Sequence, residues 1–132
     1  MSQKLLNKIL VVEDENDIRT ILKFTLERLG HFTVLYCSSG IEALESAEIF
    51  SPDLILLDVM MPGMDGIETL KELRNKLPLR YTPVIFMTAK TQADEIANYK
   101  KLGAIDVITK PFDPTLLVER LWAIWKEKIN EQ

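Results

Sequence analysis

The chain lacks the features that mark secreted and membrane-bound proteins. It has a single cysteine, Cys37, in 132 residues, so it cannot form an internal disulfide, and this usage is typical of a reducing compartment. Its apolar runs are far shorter than the roughly twenty residues that a membrane-spanning helix needs. The N-terminal segment reaches acidic residues before an apolar stretch of signal-peptide length can develop. We therefore expect a cytoplasmic protein with no membrane contact and with Cys37 packed in its core.

The chain also lacks a basic cluster. Its 16 lysine and arginine residues are outnumbered by 20 aspartate and glutamate residues, which gives a net charge of −4. Because binding to a nucleic-acid duplex needs a clustered cationic face, we expect no direct nucleic-acid binding. The hydrophobic content of 47% and the charged content of 27% are ordinary for a folded domain. The length predicts one domain over residues 1–132, with a core from about residue 8 to residue 129.

What the chain does have is a repeated pattern in which a short apolar run ends at a polar residue. Runs of this kind, bounded by turn signals, are typical of strands buried on both faces of a parallel sheet. Between them, apolar residues recur at helical spacing, and the helices are predicted to end at Gly30, Ser51 and Gly103. A further strand over Phe32–Cys37 completes five βα units, which predicts an α/β fold with helices on both faces of a five-stranded parallel sheet. The four runs are Ile9–Val12, Leu54–Leu57, Val84–Met87 and Val107–Thr109.

The residues that follow these runs predict a binding site, because ligands of doubly wound sheets bind at the carboxyl ends of the strands. Three carboxylates there, from Glu13, Asp14 and Asp58, are costly together unless a cation relieves their repulsion, and Mg²⁺ prefers such oxygen ligands. Thr88 and Lys110 add a hydroxyl and an ammonium, which a transferring phosphoryl group requires. Taken singly, Asp14 could instead cap the next helix, Thr88 could simply end its strand, and Lys110 could be solvated.

Four segments, in this order and at this spacing, give the chain a close resemblance to the receiver domain of two-component response regulators. They are ILVVEDE, LILLDVMMPGMDG, PVIFMTA and ITKPF, and the resemblance covers about residues 8 to 129. It implies a flavodoxin-like, doubly wound sheet with the strand order 2-1-3-4-5. It also implies a phosphoprotein of signal transduction, without an output domain in this chain, that catalyses only its own phosphorylation and dephosphorylation.

By this resemblance, Asp58 is the residue that accepts a phosphoryl group from a histidine kinase or a histidine phosphotransferase. The implied cofactor is Mg²⁺. Asp14 binds it directly, and Glu13 holds it mainly through water. Asp58 and the backbone carbonyl of Met60 are the other metal-site groups.

The resemblance assigns the remaining positions to phosphoryl contact, docking and output. Thr88 and Lys110 contact the phosphoryl oxygens, and the peptide bond between Lys110 and Pro111 is cis. The surface formed by helix four, strand five and helix five controls a downstream protein or a self-dimer. The kinase or phosphotransferase docks on the first helix, through Ile18, Thr20, Ile21 and Thr25.

One position departs from the family pattern. Receivers usually carry an aromatic residue three positions before the lysine, and its ring turns inward when the threonine moves toward the phosphoryl group. Here that switch position holds Val107, whose β-branched side chain cannot swing through the same arc. We predict that Asp58 is still phosphorylated and that signalling relies on the loop after Thr88 and on helix four. The alternative is a phosphorylation-independent protein-interaction module with the same fold.

Two further functions fit the chain less well. A phosphohydrolase that uses an aspartyl phosphate generally has a second acid two residues after its nucleophile, where this chain has Met60. A flavodoxin-like cofactor binder needs a phosphate-cradling loop after the first strand. The chain has the acidic sequence EDEND at that position, which repels phosphate in the absence of a metal.

The last predicted helix has two neighbouring apolar stripes, which is more than one buried face requires. The second stripe contains Trp122 and Trp125. Either both tryptophans pack along the edge of the core, or one is exposed and anchors a partner or a second copy of the chain, since tryptophan is enriched in interface hot spots.

Overall fold

The computed structural model describes residues 4–130 as alternating strands and helices. The strands are β1 (Lys8–Val12), β2 (Thr33–Cys37), β3 (Leu54–Asp58), β4 (Val84–Thr88) and β5 (Asp106–Thr109). The helices are α1 (Asn16–Lys23), α2 (Gly40–Phe50), α3 (Gly66–Arg74), α4 (Ala93–Lys101) and α5 (Pro114–Asn130). None of the helices within residues 4–130 is both long enough and apolar enough to cross a membrane.

The five strands form one parallel sheet in the order β2-β1-β3-β4-β5. The predicted fold class and strand order are therefore confirmed. In this register Val12 pairs with both Cys37 and Leu57, and Asp58 pairs with Met87. The central strands thus end side by side, and the residues that follow β1, β3 and β4 meet at one edge of the sheet.

Two buried clusters lie on opposite faces of the sheet, and this explains why the strands are continuous apolar runs. Successive side chains of a strand point to opposite faces. In β1, Leu10 and Val12 belong to one cluster, whereas Ile9 and Val11 belong to the other. All four side chains are fully buried. At roughly 1.5–3 kcal/mol per buried aliphatic side chain, these strands supply much of the stability that holds the strand ends in place.

The structure differs from the predicted helices in two places. The first helix does not continue regularly to its end, because a π-helical turn over Phe24–Leu29 follows α1. The third helix does not reach Leu77, as its apolar spacing predicted. That residue lies in a short 3₁₀ turn before Pro78 and is 73% exposed. The Arg74 guanidinium holds this connection by donating hydrogen bonds to the carbonyls of Leu79 (2.9 Å) and Thr82 (2.6 Å).

Both tryptophans of α5 pack against the protein. Trp125 is buried, and its indole N–H donates to the Lys4 carbonyl at 3.0 Å. Trp122 is half-buried, with its ring centroid 5.7 Å from that of Phe32. The packing interpretation is therefore confirmed for Trp125, which is no exposed anchor, whereas Trp122 packs only partly against the core.

Cys37 is also packed, at the end of β2. Its side chain is 2% exposed, and burial, followed by the charge of Glu42, raises the pKa of the thiol to about 11. Because the thiolate is the reactive form, this cysteine is inert at neutral pH, as the sequence predicted.

Candidate functional site

Three carboxylates converge at the carboxyl edge of the sheet. Glu13 and Asp14 directly follow β1, and Asp58 is the last residue of the neighbouring strand β3. One ligand oxygen from each lies within 4.8 Å of the others. Glu13 and Asp58 are buried and Asp14 is half-buried. The predicted acidic cluster is therefore present, and it results from the pairing of β1 with β3.

Lys110 brings a positive charge to this cluster from the loop between β5 and α5. Its ammonium lies 2.5 Å from Glu13 Oε1 and 3.2 Å from Asp58 Oδ1. The loop is held to β4 because the Lys110 amide donates to the Thr88 carbonyl at 2.9 Å. The predicted cis peptide bond between Lys110 and Pro111 is present. Lys110 is therefore a partly buried site residue, and the solvated alternative is wrong.

The site has more negative than positive charge, and the pKa of Asp58 reflects this excess. Burial and then the negative charge of Glu13 raise the pKa of Asp58 to about 7, against the opposing effect of the Lys110 ammonium. Burial alone would lower the pKa of Lys110, but its contacts with Glu13 and Asp58 outweigh burial, so that pKa is raised. One ammonium therefore offsets only part of the repulsion among three neighbouring carboxylates.

A divalent cation fits the remaining charge and the available donors. Asp14 Oδ1 is buried and has no hydrogen-bond partner in the described part of the chain. Asp14 is not the cap of α1 either, because the capping position is Glu15 and no side chain caps that helix. An orphaned carboxylate oxygen beside two other carboxylates is an all-oxygen donor set, which suits a hard ion such as Mg²⁺.

Thr88 occupies the end of β4, one residue beyond the Met87 that pairs with Asp58. Its side chain is 1% exposed, and its hydroxyl accepts a hydrogen bond from the Lys90 amide at 3.1 Å. The hydroxyl is still able to donate its own proton to a second acceptor. Thr88 is therefore placed to link the site to the loop that leads into α4.

The segment after Asp58 contains Met60, which was predicted to belong to the site, and Gly66, whose role the sequence did not reveal. Met60 follows closely, with its side chain 62% exposed. The Gly66 amide donates to the Val59 carbonyl at 2.9 Å. A Cβ added at Gly66 would lie 2.3 Å from the Asp58 carbonyl oxygen. Gly66 therefore lets α3 begin directly against the backbone of Asp58, although its only sequence signal was a glycine in a turn-rich loop.

Arg19 was also missed. Its guanidinium donates to the Glu13 carbonyl at 2.7 Å and reaches Asn16 Oδ1 at 3.3 Å. Arg19 lies in α1, six residues after Glu13, and it thereby fixes the backbone of that site residue. Nothing in the sequence separated Arg19 from an ordinary solvated arginine on a helix, because the partner is a main-chain carbonyl.

Comparison with known proteins places this fold and site in a family. The sequence profile of the response regulator receiver domain matches residues 9–122. The chain is 46% identical over 117 residues to the alkaline phosphatase synthesis transcriptional regulatory protein PhoP of Bacillus subtilis, covering 89% of this chain and 48% of that protein. It is 43% identical over 129 residues to the transcriptional regulatory protein CpxR of Klebsiella pneumoniae, covering 93% of this chain and 53% of that protein.

A solved structure agrees with the sequence comparisons. The chemotaxis response regulator CheY4 of Vibrio cholerae superposes with a TM-score of 0.83 at 32% identity, covering 91% of this chain and 99% of that chain. The chain belongs to the response regulator receiver domain family. Receiver domains are phospho-accepting signalling modules rather than conventional enzymes, and they typically bind Mg²⁺. The chain spans about half the length of the two transcriptional regulators that it matches.

Proposed function

We propose that this chain is a phosphorylation-controlled switch and that Asp58 is its phosphoryl acceptor. In the transfer step an Asp58 carboxylate oxygen bonds to the phosphorus of a phosphohistidine on a histidine kinase or histidine phosphotransferase. The phosphorus–nitrogen bond breaks, and its electron pair returns to the imidazole. The proposal is carried by one observation, the position of a buried Asp58 carboxylate within 3.2 Å of the Lys110 ammonium and beside two further carboxylates.

The other site residues supply positioning and charge. Lys110 neutralises one phosphoryl oxygen, and the Thr88 hydroxyl donates to another. Glu13, Asp14, Asp58 and the carbonyl of Met60 would hold Mg²⁺, which supplies charge neutralisation for the phosphoryl oxygens.

A docking surface for the phosphoryl donor lies beside the acids. An apolar groove of about 370 Å³ runs between α1 and the loop that precedes α5. Phe24, the first residue of the π-helical turn that follows α1, is 55% exposed, which favours an apolar partner surface such as a helix. Thr25, which was predicted to take part, is fully buried and donates to the Ile21 carbonyl at 2.8 Å, so that part of the prediction is wrong. The groove is lined by Glu15, Ile18, Ile21, Ala89, Lys110, Pro111, Phe112 and Pro114.

The output surface is proposed to be the face formed by α4, β5 and α5. An ion pair between Asp106 of β5 and Arg120 of α5, at 3.2 Å, lies on this face. The Arg120 side chain is 52% exposed and that of Asp106 is 20% exposed, so the arginine is the more accessible group for a downstream protein or a second copy of the chain.

The acceptor role is tested by intact mass after incubation with acetyl phosphate and Mg²⁺. Wild type is expected to gain one phosphoryl group, because a small acyl phosphate can enter the exposed mouth of the site. Asp58→Asn keeps the shape and loses the nucleophile, so it is expected to gain none. Omission of Mg²⁺ is expected to reduce the gain strongly, because the crowded carboxylates then repel the phosphoryl donor.

The same samples separate the switch from its alternative. Light-scattering mass before and after phosphorylation reports whether the output is a self-dimer. A wild-type protein that binds Mg²⁺ but gains no phosphoryl group would contradict the proposal. That result would favour the phosphorylation-independent interaction module, for which the valine at position 107 is the supporting observation.

The lifetime of the phosphoryl group is expected to be long. Met60 is apolar and 62% exposed, and Lys90 is an exposed cation; neither can orient an attacking water as an amide or a carboxylate does. The double variant Met60→Asn with Lys90→Glu is therefore expected to shorten the lifetime, measured as loss of the phosphoryl mass after removal of acetyl phosphate. The matched variant Met60→Leu should leave the decay rate unchanged. Equal decay in all three proteins would rule out control of water by these side chains.

A further inference from the structure

The valine at the switch position belongs to the same buried cluster as an aromatic side chain from another element. Val107 is 6% exposed and pairs in register with Phe86 of β4. Phe86 is two residues before Thr88, so both side chains point to the same face of the sheet. On that face Phe86, Val107 and Tyr99 belong to one buried cluster. Tyr99 comes from α4 rather than from β5.

Tyr99 has the contacts of an anchoring residue. Its ring centroid lies 5.4 Å from that of Phe86, and the two planes meet at 75°. This edge-to-face arrangement is a preferred geometry for aromatic pairs. Tyr99 is 6% exposed, and it is the only buried residue in α4. The attachment of α4 to the core therefore depends mainly on one aromatic ring beside the strand that carries Thr88.

We infer that Tyr99 is the positioning residue that transmits the state of Thr88 to α4, in place of the missing aromatic residue of β5. This inference rests on the proposed phosphorylation of Asp58. When Thr88 turns toward a phosphoryl group, it vacates volume on the face that it shares with Phe86. Protein interiors are close-packed and an empty cavity is costly, so the ring of Tyr99 moves into that volume. Because the ring belongs to α4, the helix and its exposed surface move with it.

The movement of the ring is measured by ¹⁹F NMR of the full chain labelled with 3-fluorotyrosine. The chain has three tyrosines, and Tyr36→Phe, Tyr81→Phe and Tyr99→Phe assign their signals. With acetyl phosphate and Mg²⁺, the Tyr99 signal is expected to shift in proportion to the phosphorylated fraction measured by intact mass on the same sample. Tyr81 is 83% exposed in the loop that leads into β4, and its signal is expected to stay in place.

The coupling to α4 is measured by amide hydrogen exchange over Ala93–Lys101. Phosphorylation of wild type is expected to change exchange in this segment. Tyr99→Phe keeps the ring and is expected to keep the response, whereas Tyr99→Leu is expected to lose most of it while Asp58 still gains one phosphoryl group. Ile96→Ala, which removes a half-buried aliphatic contact from the same helix, is the matched control and should retain the response.

The outcomes separate this inference from the proposed function. A protein that gains one phosphoryl group without a shift of the Tyr99 signal overturns the inference and leaves the acceptor role of Asp58 intact. Loss of the α4 response in Ile96→Ala as well as in Tyr99→Leu also overturns it, because the ring then has no role beyond packing. A wild-type protein that gains no phosphoryl group overturns both.

Discussion

In Mg²⁺-free buffer at pH 8, Asp58→Asn is expected to raise the free energy of unfolding by about 2–4 kcal/mol. The pKa of Asp58 is about 7 in the folded protein because of burial and the charge of Glu13, whereas an unfolded aspartate has a pKa of about 4. This difference corresponds to at most about 4 kcal/mol of stability lost to the ionised carboxylate. The pKa of about 7 already includes the opposing effect of the Lys110 ammonium, and the lower bound allows for the difference in hydrogen bonding between a protonated carboxyl and an amide. Urea denaturation followed by fluorescence of the two tryptophans measures the change.

The stability difference between Asp58→Asn and wild type is expected to depend on pH. Below about pH 4, the Asp58 carboxyl is protonated in both the folded and the unfolded chain and contributes no difference. Between about pH 4 and pH 7 only the unfolded chain releases the proton, so the stability of wild type falls as the pH rises. Above the folded pKa of about 7 the loss is complete. The advantage of Asp58→Asn should therefore grow through this window and then level off.

Asp53 provides a matched control, because it precedes the same strand at the opposite end. Burial would raise its pKa, but hydrogen bonds from the amides of Lys8 and Asn7 and from the Lys4 ammonium outweigh burial and lower it. Asp53→Asn is thus expected to destabilise the protein by about 1–3 kcal/mol at pH 7. That loss should shrink below about pH 4, as the wild-type carboxyl becomes protonated. Stabilisation by both substitutions would mean that the effect at Asp58 is not specific to the crowded site.

Addition of Mg²⁺ should reduce the stability advantage of Asp58→Asn over wild type. A ligand that binds only the folded state stabilises it by an amount that grows with the ratio of its concentration to its dissociation constant. Wild type retains all three carboxylates and should gain more stability than Asp58→Asn. An Asp58→Asn protein that is no more stable than wild type in chelator would contradict the prediction that the ionised Asp58 carboxylate lowers the stability of the folded protein.

The sheet and its acidic edge were predictable from the sequence because both depend on local order along the chain. A strand buried on both faces needs an apolar residue at every position, and the residue that follows it necessarily reaches the edge of the sheet. Glu13, Asp58 and Thr88 were therefore located without any knowledge of packing. Leu77 was misplaced for a related reason. Its apolar spacing extended the third helix, although Pro78 gave a local signal that the helix could not continue.

The contacts between helices and strands could not be predicted from local sequence order. The π-helical turn after α1 surrounds a buried threonine, Thr25, and burial is decided by neighbours that the local sequence does not specify. Tyr99 is an unremarkable residue of a predicted helix until the fold places its ring against Phe86. The departure at Val107 was visible in the sequence, but the aromatic residue of α4 that shares its buried cluster was not. Such pairs depend on tertiary packing rather than on periodicity.

Gly66→Ala is expected to destabilise the protein by about 3 kcal/mol and to slow phosphorylation of Asp58. The new Cβ would lie 2.3 Å from the Asp58 carbonyl oxygen and 2.8 Å from the Val59 Cα. Both are backbone atoms at the end of β3, so relief requires a shift of the strand end or of α3, at the upper end of the usual cost of overpacking. Because Asp58 is the proposed acceptor, the same shift moves its carboxylate relative to Lys110. Denaturation and the rate of phosphoryl gain from acetyl phosphate measure the two effects.

Gly63→Ala, in the loop that leads into α3, is the control, and it separates the effect of the contact from that of losing a glycine. Gly63 has a left-handed φ of 73°, and a Cβ there would meet no atom within 4 Å. Its substitution should therefore cost only about 1–2 kcal/mol of backbone strain and leave the rate of phosphorylation unchanged. If both alanine variants slowed phosphorylation equally, flexibility of the loop would matter to the site. If only Gly66→Ala does so, the approach of α3 to the Asp58 backbone is what sets the position of the acceptor.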